Sequence, residues 1–262
     1  MLRIERDARG VVTLMLDREA ARNALSAELV GRLTEALVSL AGDTSVRIVL
    51  LTGSGSVFCA GADIGEMRAA GAASAERNEA DARRFAKMLE CLERQPQPTV
   101  AIVNGAAYGG AIGLIAACDI AIAGGSARFA LSEVRLGLIP AMISPFVIRA
   151  IGQRQARRWF LTGEAMDAAT AERIGLVHQT VADAALADAR HAIVDALLAG
   201  GPAAQAEIKR LLRHVTGRSE ADDETILADT ARWIARVRAG GEGREGLTAF
   251  LERRKPGWIR SE

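Results

Sequence analysis

The sequence predicts an α/β fold made of repeated units in which a strand runs into a glycine-containing turn and then into a helix. Apolar runs typical of buried strands occupy 46–51 and 99–103. A turn built largely from Gly and Ala follows each run, at 58–63 and at 104–111, and each turn leads toward a helical pattern. Because strands that alternate with helices are typical of α/β proteins, we expect each turn to connect a strand to a helix.

The N-terminal part adds a hairpin and two helices to this pattern. Residues 2–7 and 11–16 alternate loosely between apolar and polar side chains and predict two paired strands. Ser26 is a suitable N-cap for the helically spaced leucines that follow it, and 81–93 also carries helical spacing. Between these helices, residues 66–80 are rich in Ala, Gly, Arg and Glu, and predict a mobile loop or a frayed helix over the first turn.

The second turn begins a repeat of the same unit. A short helix is expected at 110–117, then strands at 118–123 and 127–130, and further helices after the next proline. Toward the C-terminus the apolar residues recur at helical spacing, with no convincing strand. We therefore expect a core over 1–200 and a helical region over 201–262.

Composition excludes several classes of protein. The chain has 262 residues, half of them hydrophobic, and a formal net charge of +1, which argues against nucleic acid or a membrane as a partner. Cys59, Cys91 and Cys118 are widely spaced and odd in number, so neither a disulfide framework nor a zinc site is indicated. The three histidines lack the spacing of a metal site, and we expect no metal.

The N-terminus and the longest apolar stretch predict a cytoplasmic protein. Charged residues at positions 3, 5, 6 and 7 leave no apolar region of a secretory signal. The stretch 106–123 is interrupted by glycines and by Asp119, which makes it too polar for a membrane span.

The two turns have a chemical use that their composition suggests. A turn of Gly and Ala at the end of a strand leaves main-chain N–H groups sterically open. Two such turns can direct two N–H donors at one oxygen, which stabilises negative charge that develops on a carbonyl. The alternative is that the small residues of these turns serve only tight packing. A phosphate-binding loop is not indicated, because the second turn contains neither G-x-G-x-x-G nor G-x-x-x-x-G-K-[ST].

These turns also carry a resemblance to a known family. Residues 58–67 and 103–119 resemble the two signature segments of the crotonase (enoyl-CoA hydratase/isomerase) superfamily. Other segments that are similar to family motifs are Asp17-Arg18, Asn23-Ala24-Leu25, 136–140, 161–164, 174–177 and 245–255. The resemblance implies a spiral of repeated ββα units with a C-terminal helical region, assembled as a homotrimer or a dimer of trimers.

The resemblance also assigns catalytic roles. It implies that the N–H groups of Ala62 and Gly110 bind the carbonyl oxygen of an acyl-CoA thioester, and that Glu133 is the acid–base residue. A typical hydratase of the family has a second glutamate, but Gly113 stands at its position here. For Ala62 and Gly110 the alternative is a packing role, and for Glu133 it is a solvated carboxylate or one paired with Arg135.

The family binds CoA mainly through main-chain groups of the N-terminal motif and the first turn. By resemblance these are Ala21, Arg22, Ala60, Asp63 and Ile64. A basic residue near the C-terminus contacts the nucleotide, and Arg253 aligns with it, although it has the alternative of a solvated helix charge. Because CoA is part of the substrate, no separate cofactor is expected.

The single glutamate leaves more than one reaction open. Residues 132–152 and 157–162 are most similar to bacterial methylglutaconyl-CoA hydratases of leucine breakdown. The leading hypothesis is hydration of a 2-enoyl-CoA, such as 3-methylglutaconyl-CoA. An enoyl-CoA isomerase is the alternative enzyme, because one carboxylate suffices to move a proton between carbons. An RNA-binding protein and a silent acyl-CoA binder are the non-enzymatic alternatives.

A substrate with an acidic acyl tail would account for glycine, rather than a second glutamate, at position 113. Two catalytic carboxylates and a substrate carboxylate would place three like charges in one poorly solvated pocket, at a cost of about 4 kcal/mol for a pair ~4 Å apart. We therefore expect Gly113 to open space in the pocket for the tail. A cation should face the tail, and Arg135 and Arg149 are the candidates.

Overall fold

The computed structural model describes residues 1–215 and 220–256. Its strands are β1 (Leu2–Arg6), β2 (Val11–Leu16), β3 (Ile48–Gly53), β4 (Val57–Cys59), β5 (Thr99–Val103), β6 (Ala106–Tyr108), β7 (Ile120–Gly124), β8 (Arg128–Ala130), β9 (Ala165–Asp167) and β10 (Gln179–Val181). Its helices are α1 (Ala27–Ala41), α2 (Ile64–Gly71), α3 (Ala75–Glu93), α4 (Gly110–Ala117), α5 (Ser144–Thr162, broken at Gly152), α6 (Ala168–Arg173), α7 (Leu186–Leu198), α8 (Pro202–Val215), α9 (Glu220–Ala239) and α10 (Gly241–Leu251).

From β3 to β8, successive strands alternate between two sheets. The larger sheet has the order β1-β2-β3-β5-β7-β10, and only its β1–β2 pair is antiparallel. The smaller sheet has the order β4-β6-β8-β9. The pairs β3/β4, β5/β6 and β7/β8 each give their first strand to the large sheet and their second to the small one, before a helix or a short 3-10 turn follows. This confirms the predicted spiral of ββα units.

The central strand β3 shows how the core is divided. Its residues Val49 and Leu51 pack into the main core with α1 and α3, while Ile48 and Leu50 belong to a second cluster that includes Val194 of α7. Since successive side chains of a strand point to opposite faces, β3 is buried on both sides. This explains why its sequence is continuously apolar rather than alternating.

Most predicted elements are present. The N-terminal hairpin pairs Leu2 with Leu16 at one end, and Ser26 caps α1 by accepting a hydrogen bond from the Leu29 N–H at 3.2 Å. The four strands of the smaller sheet are only three residues long, and β4 and β6 lie inside or beside the Gly- and Ala-rich turns. Of these, only 127–130 was predicted, because three residues are too few to show a strand period.

The prediction of a loop or frayed helix over 66–80 is wrong in part. Two capped helices meet there: Asp63 accepts from the N–H groups of Gly65 and Glu66 at the start of α2, and Ser74 accepts from Arg77 at the start of α3. The buried Asn78 joins them by donating to the carbonyl of Ala70. Residues 66–80 have few apolar side chains, so no helical stripe was visible in the sequence. Here the helices are stabilised instead by their N-caps and by one buried amide.

The described part of the predicted helical region 201–262 contains α8, α9 and α10. Residues 216–219 and 257–262 lie outside the described residues, and the boundary at 200 stays a prediction. Helix α9 packs along α3, and α10 contacts α2. None of the helices in the described part of the chain is long and apolar enough to cross a membrane.

An ion pair attaches α8 to the sheet. The buried Lys209 ammonium donates to Asp119 Oδ2 at 2.6 Å and to the carbonyl of Gln97 at 3.1 Å. The same carboxylate oxygen accepts from the N–H and the hydroxyl of Thr99. Removing the ammonium would leave this carboxylate without its counter-charge.

We therefore expect Lys209→Met to lower the free energy of unfolding by about 1–3 kcal/mol, because it strands a partly buried carboxylate. Urea denaturation at fixed protein concentration measures the change. Arg210→Met is the matched control, since its exposed pair with Glu207 should contribute less than about 1 kcal/mol. Equal losses from both variants would show that the Lys209 pair adds nothing specific.

Candidate active site

The two signature turns touch each other. Gly61 has φ +91°, and a Cβ built on it would lie 2.6 Å from the carbonyl oxygen of Tyr108 and 3.7 Å from the nitrogen of Gly110. A side chain at position 61 would thus clash with the second turn, besides straining the backbone. Leu25 fixes the first turn from the other side, because its N–H donates to the Gly61 carbonyl at 2.8 Å.

Each turn presents an open main-chain donor. Leu25 bonds the residues that flank Ala62, since its carbonyl accepts from the Asp63 N–H at 3.1 Å, so the Ala62 N–H faces away from this bridge. Gly110 is the first residue of α4, where N–H groups have no intrahelical acceptor. Within the described residues neither N–H has a hydrogen-bond acceptor. Both residues line the same cavity.

That cavity has a volume of about 160 Å³ and a mostly apolar wall. Its wall is formed by the two turns, the beginning of α1, α2, α3, the segment 138–143 and α9. The apolar lining includes Leu25, Val30, Met67, Phe85, Ile139, Met142 and Ile234. A concave apolar site with a few convergent polar groups is the usual form of a small-molecule site.

Glu133 lies in this cavity, in the 3-10 turn Ser132–Leu136. A Cβ built on Gly109 would lie 3.2 Å from Glu133 Oε1, which places the carboxylate beside the second turn. Glu133 Oε2 is buried and has no hydrogen-bond partner within the described residues. Burial raises the pKa of Glu133 to about 7 because the charged form is desolvated. A carboxyl group with this pKa accepts or releases a proton near neutral pH.

Three other carboxylates line the cavity, and each already has partners. Asp63 caps α2 and pairs with Arg18 at 3.2 Å, Glu66 accepts from the Ala27 N–H at 2.7 Å, and Asp81 pairs with Arg84. Glu133 is thus the lining carboxylate that remains available for proton transfer. No group of three or more His, Cys, Asp or Glu side chains in the described part of the chain is arranged to hold a metal ion.

The structure contradicts the expected open space at Gly113. A Cβ on Gly113 would lie 2.3 Å from Ile143 Cγ2 and 2.9 Å from Ile143 Cβ. Gly113 is fully buried and does not line the cavity, whereas Ile143 does. The volume that a side chain at 113 would need is therefore filled by an isoleucine from a segment thirty residues away.

The two arginines expected to face an acyl tail do not line the cavity either. Arg149 pairs with Glu93 and stacks over Phe146, and Arg135 is exposed beside Gly163. Neighbouring side chains engage Arg149 and Arg135 lies on the surface, which their sequence positions did not reveal. The arginines that line the cavity are Arg84 of α3 and Arg238 of α9.

Only one of the residues predicted to bind CoA lines the cavity. Asp63 lines the cavity, while Ala21, Arg22, Ala60 and Ile64 do not, although the Ala60 N–H donates to the Arg22 carbonyl at 2.9 Å and so joins the two motifs. Arg253 is exposed just after α10, with φ +54°. Their roles in CoA binding stay predictions.

Two buried or half-buried asparagines position the turns and were not predicted to do so. Asn23 donates to the carbonyls of Ser54 and Val57, ahead of the first turn. Asn104 begins the second turn and donates to the carbonyls of Gly53 and Gly55. The four acceptors are carbonyls of the loop between β3 and β4 and of the strand ends that flank it, so the two amides tie this loop to the N-terminal motif and to the second turn.

The packing of Gly113 against Ile143 predicts strong coupling between the two positions. Gly113→Ala should destabilise the protein by about 1–3 kcal/mol through overpacking, and Ile143→Ala by about 2–5 kcal/mol through a cavity. The double variant should lose less than the sum of the single losses, because removing Cγ2 eliminates the closest contact of the added methyl group, at 2.3 Å, and leaves the one with Cβ at 2.9 Å. A urea double-mutant cycle measures this coupling, and additive losses would contradict the contact.

The raised pKa of Glu133 predicts a pH-dependent cost in stability. Its folded pKa, about 7, exceeds the ordinary 4.5, so the wild-type protein loses stability as the pH rises between these values. Glu133→Gln should therefore stabilise the protein by about 1–3 kcal/mol at pH 8 and by much less at pH 5. Urea denaturation at both pH values checks this, with Glu66→Gln as the control. A gain that is the same at both pH values would contradict the assignment.

Comparison with known proteins agrees with this geometry. A family model described as enoyl-CoA hydratase/isomerase matches residues 6–261. The 2,3-dehydroadipyl-CoA hydratase of Escherichia coli (strain K12) is 32% identical, over 94% of this chain and 94% of the relative. Crystal structures of enoyl-CoA hydratases from Mycobacterium avium and from Shewanella pealeana match with TM-scores of 0.85 and 0.80. Their sequences are 36% and 41% identical to this chain, respectively. Each match covers 98% of this chain, and the two matches cover 98% and 95% of the respective crystal structures. The chain belongs to the enoyl-CoA hydratase/isomerase family and is an enzyme of the enoyl-CoA hydratase type.

Proposed function

We propose that this enzyme adds water to a 2-enoyl-CoA thioester with Glu133 as its single catalytic carboxylate. The observation that carries the proposal is that the unpartnered, buried Glu133 Oε2 shares one cavity with the open N–H groups of Ala62 and Gly110. A proton carrier and two donors for an oxyanion are the groups that hydration of a conjugated thioester requires.

The proposed reaction starts with the thioester oxygen bound by the Ala62 and Gly110 N–H groups. Water adds to the β-carbon while the Glu133 carboxylate accepts one of its protons, and the electrons of the double bond move to the thioester oxygen as an enolate. Glu133 then returns the proton to the α-carbon, which regenerates the carbonyl and the carboxylate. Each oxyanion donor typically contributes on the order of 10²–10³ in rate. Because one carboxylate serves both steps, both new bonds form on one face.

The pKa of Glu133 suits this double role. A group with a pKa of about 7 is partly ionised at neutral pH, and its conjugate acid is strong enough to protonate carbon. Asp63, Glu66 and Asp81 are held by their own hydrogen bonds or ion pairs, so they do not compete for the water.

For the acyl group we propose an acidic enoyl chain such as 3-methylglutaconyl, which would place the enzyme in leucine degradation. Support comes from the resemblance of 132–152 and 157–162 to hydratases of that type, and from a relative whose named substrate, 2,3-dehydroadipyl-CoA, carries a second carboxyl group. CoA would contact the main chain of Ala21, Arg22, Ala60, Asp63 and Ile64, with Arg253 at the nucleotide.

Isomerisation is the second candidate, and the same observation favours it. A single carboxylate beside an oxyanion site can take a proton from one carbon of the acyl chain and return it to another, with no water consumed. Product mass separates the two reactions, because hydration adds one water to the thioester and isomerisation leaves the mass unchanged.

A homotrimer or dimer of trimers stays our proposal for the assembled enzyme. Helix α8 exposes Ile208, Leu211 and Leu212, each with more than half of its surface accessible in the single chain. Adjacent exposed apolar residues on an amphipathic helix are in line with burial against another subunit.

We expect Glu133→Gln to lower kcat by about 10²–10⁴, because the amide keeps the shape of the side chain but transfers no proton. In the wild-type enzyme kcat/KM for hydration should fall about tenfold per pH unit below pH 7, since only the ionised carboxylate activates water. Loss of the conjugated-enoyl absorbance and product mass are the measurements. Glu66→Gln is the control and should stay within a few-fold of wild type. Near-normal turnover by Glu133→Gln would overturn the mechanism.

A further inference from the structure

Arg238 lies on the cavity wall with unused hydrogen-bonding capacity. Ile234, one helical turn earlier on α9, is buried and lines the same cavity, so both side chains occupy one face of the helix. Arg238 Nε is buried and has no acceptor within the described residues. Its Nη1 donates to Asn78 Oδ1 at 3.5 Å, the long limit of a hydrogen bond. A guanidinium has five donor hydrogens, so this site is underused.

The charges around Arg238 do not balance. Among the described residues, the carboxylate that raises its pKa by proximity is Asp81 of α3, and Asp81 already pairs with Arg84. Two guanidinium groups therefore share one carboxylate at this end of the cavity. Burial still lowers the pKa of Arg238, but a guanidinium remains charged in proteins. A second carboxylate would balance the two guanidinium charges of Arg84 and Arg238.

Helix α3 relates the position of Arg238 to that of the oxyanion turn. Phe85 of α3 touches the oxyanion turn, since its Cζ lies 3.0 Å from the position of a Cβ on Gly110. Asp81 precedes Phe85 by one helical turn, about 6 Å along the axis. Asp81 and Arg238 both line the cavity, and Asp81 is near enough to act on the Arg238 charge, so we infer that the cation lies roughly one turn of α3 from the oxyanion turn.

We propose that Arg238 binds a carboxylate at the far end of the acyl group, so that this site selects CoA thioesters of short unsaturated dicarboxylic acids. The inference rests on the proposed function and adds its specificity residue. The guanidinium donates through Nε and one Nη to the two carboxylate oxygens, a paired geometry that lysine does not reproduce. A neutral acyl chain would leave Nε without an acceptor, which is how the site would disfavour it.

The test compares glutaconyl-CoA with crotonyl-CoA, which lacks the second carboxylate. Wild-type enzyme should show a higher kcat/KM for glutaconyl-CoA. Arg238→Gln should lower that value by about 10- to 100-fold, the range for one charge-assisted hydrogen-bonding group, and change the value for crotonyl-CoA by less than about threefold. Arg238→Lys should recover only part of the loss. Arg236→Gln, which removes an exposed charge from the same helix, is the matched control and should leave both values unchanged.

A binding measurement separates failure of this inference from failure of the proposed function. Calorimetry with the saturated analogues glutaryl-CoA and butyryl-CoA needs no turnover, and Arg238→Gln should weaken only glutaryl-CoA. If wild-type enzyme hydrates neither enoyl thioester but this difference in binding persists, the proposed reaction is wrong and the role of Arg238 stands. Equal losses for both ligands would mean that Arg238 only holds α9 on α3 and would overturn the inference. No loss for either ligand would overturn it too.

Discussion

The contact between the two signature turns is the constraint on which the site depends. A Cβ on Gly61 would lie 2.6 Å from the Tyr108 carbonyl oxygen, so this approach requires glycine. It brings Ala62 and Gly110 to one cavity, although 48 positions separate them in the chain. The two-sheet spiral makes the contact possible, because β4 and β6, which lie inside or beside the turns, pair in parallel. The larger sheet, the asparagine-held loop and the bridge from Leu25 all serve to fix this geometry.

Around this contact the protein leaves polar groups of opposite character unsatisfied, whereas unpartnered buried atoms elsewhere in the described residues, such as Gln97 Oε1 and Trp159 Nε1, are scattered singly. Asn23, Asn78 and Asn104 each satisfy buried or loop carbonyls, and Lys209 neutralises Asp119. Such pairing is the rule for buried polar atoms. Within the cavity, by contrast, two N–H groups, Glu133 Oε2 and Arg238 Nε have no partner among the described residues. Unsatisfied groups of opposite character around one apolar space are the expected imprint of a polar ligand, and they reduce the stability of the free protein.

Local signals in the sequence predicted the parts of the fold that depend on short-range rules. Ser26 begins α1, the apolar runs form β3 and β5, and the two turns and Glu133 line one cavity. These short-range rules could not predict contacts between segments that are far apart in the chain. That Ile143 fills the space beside Gly113, and that Arg238 rather than Arg135 or Arg149 lines the cavity, depends on how α5 and α9 pack on the core. No spacing within the chain records such a contact.

The exchange of a second glutamate for the Gly113–Ile143 contact changes the electrostatics more than the size of the cavity. Where the family resemblance implies a second glutamate, Ile143 gives the cavity that Glu133 lines an apolar wall. Desolvation is the main cause of the raised pKa of Glu133, so an apolar wall favours its protonated form, which gives a proton to carbon in the proposed reaction. A second anion would also raise this pKa, but it would repel an acidic acyl chain. The apolar solution tunes the carboxylate without that repulsion, and it leaves Arg238 free of a competing catalytic anion.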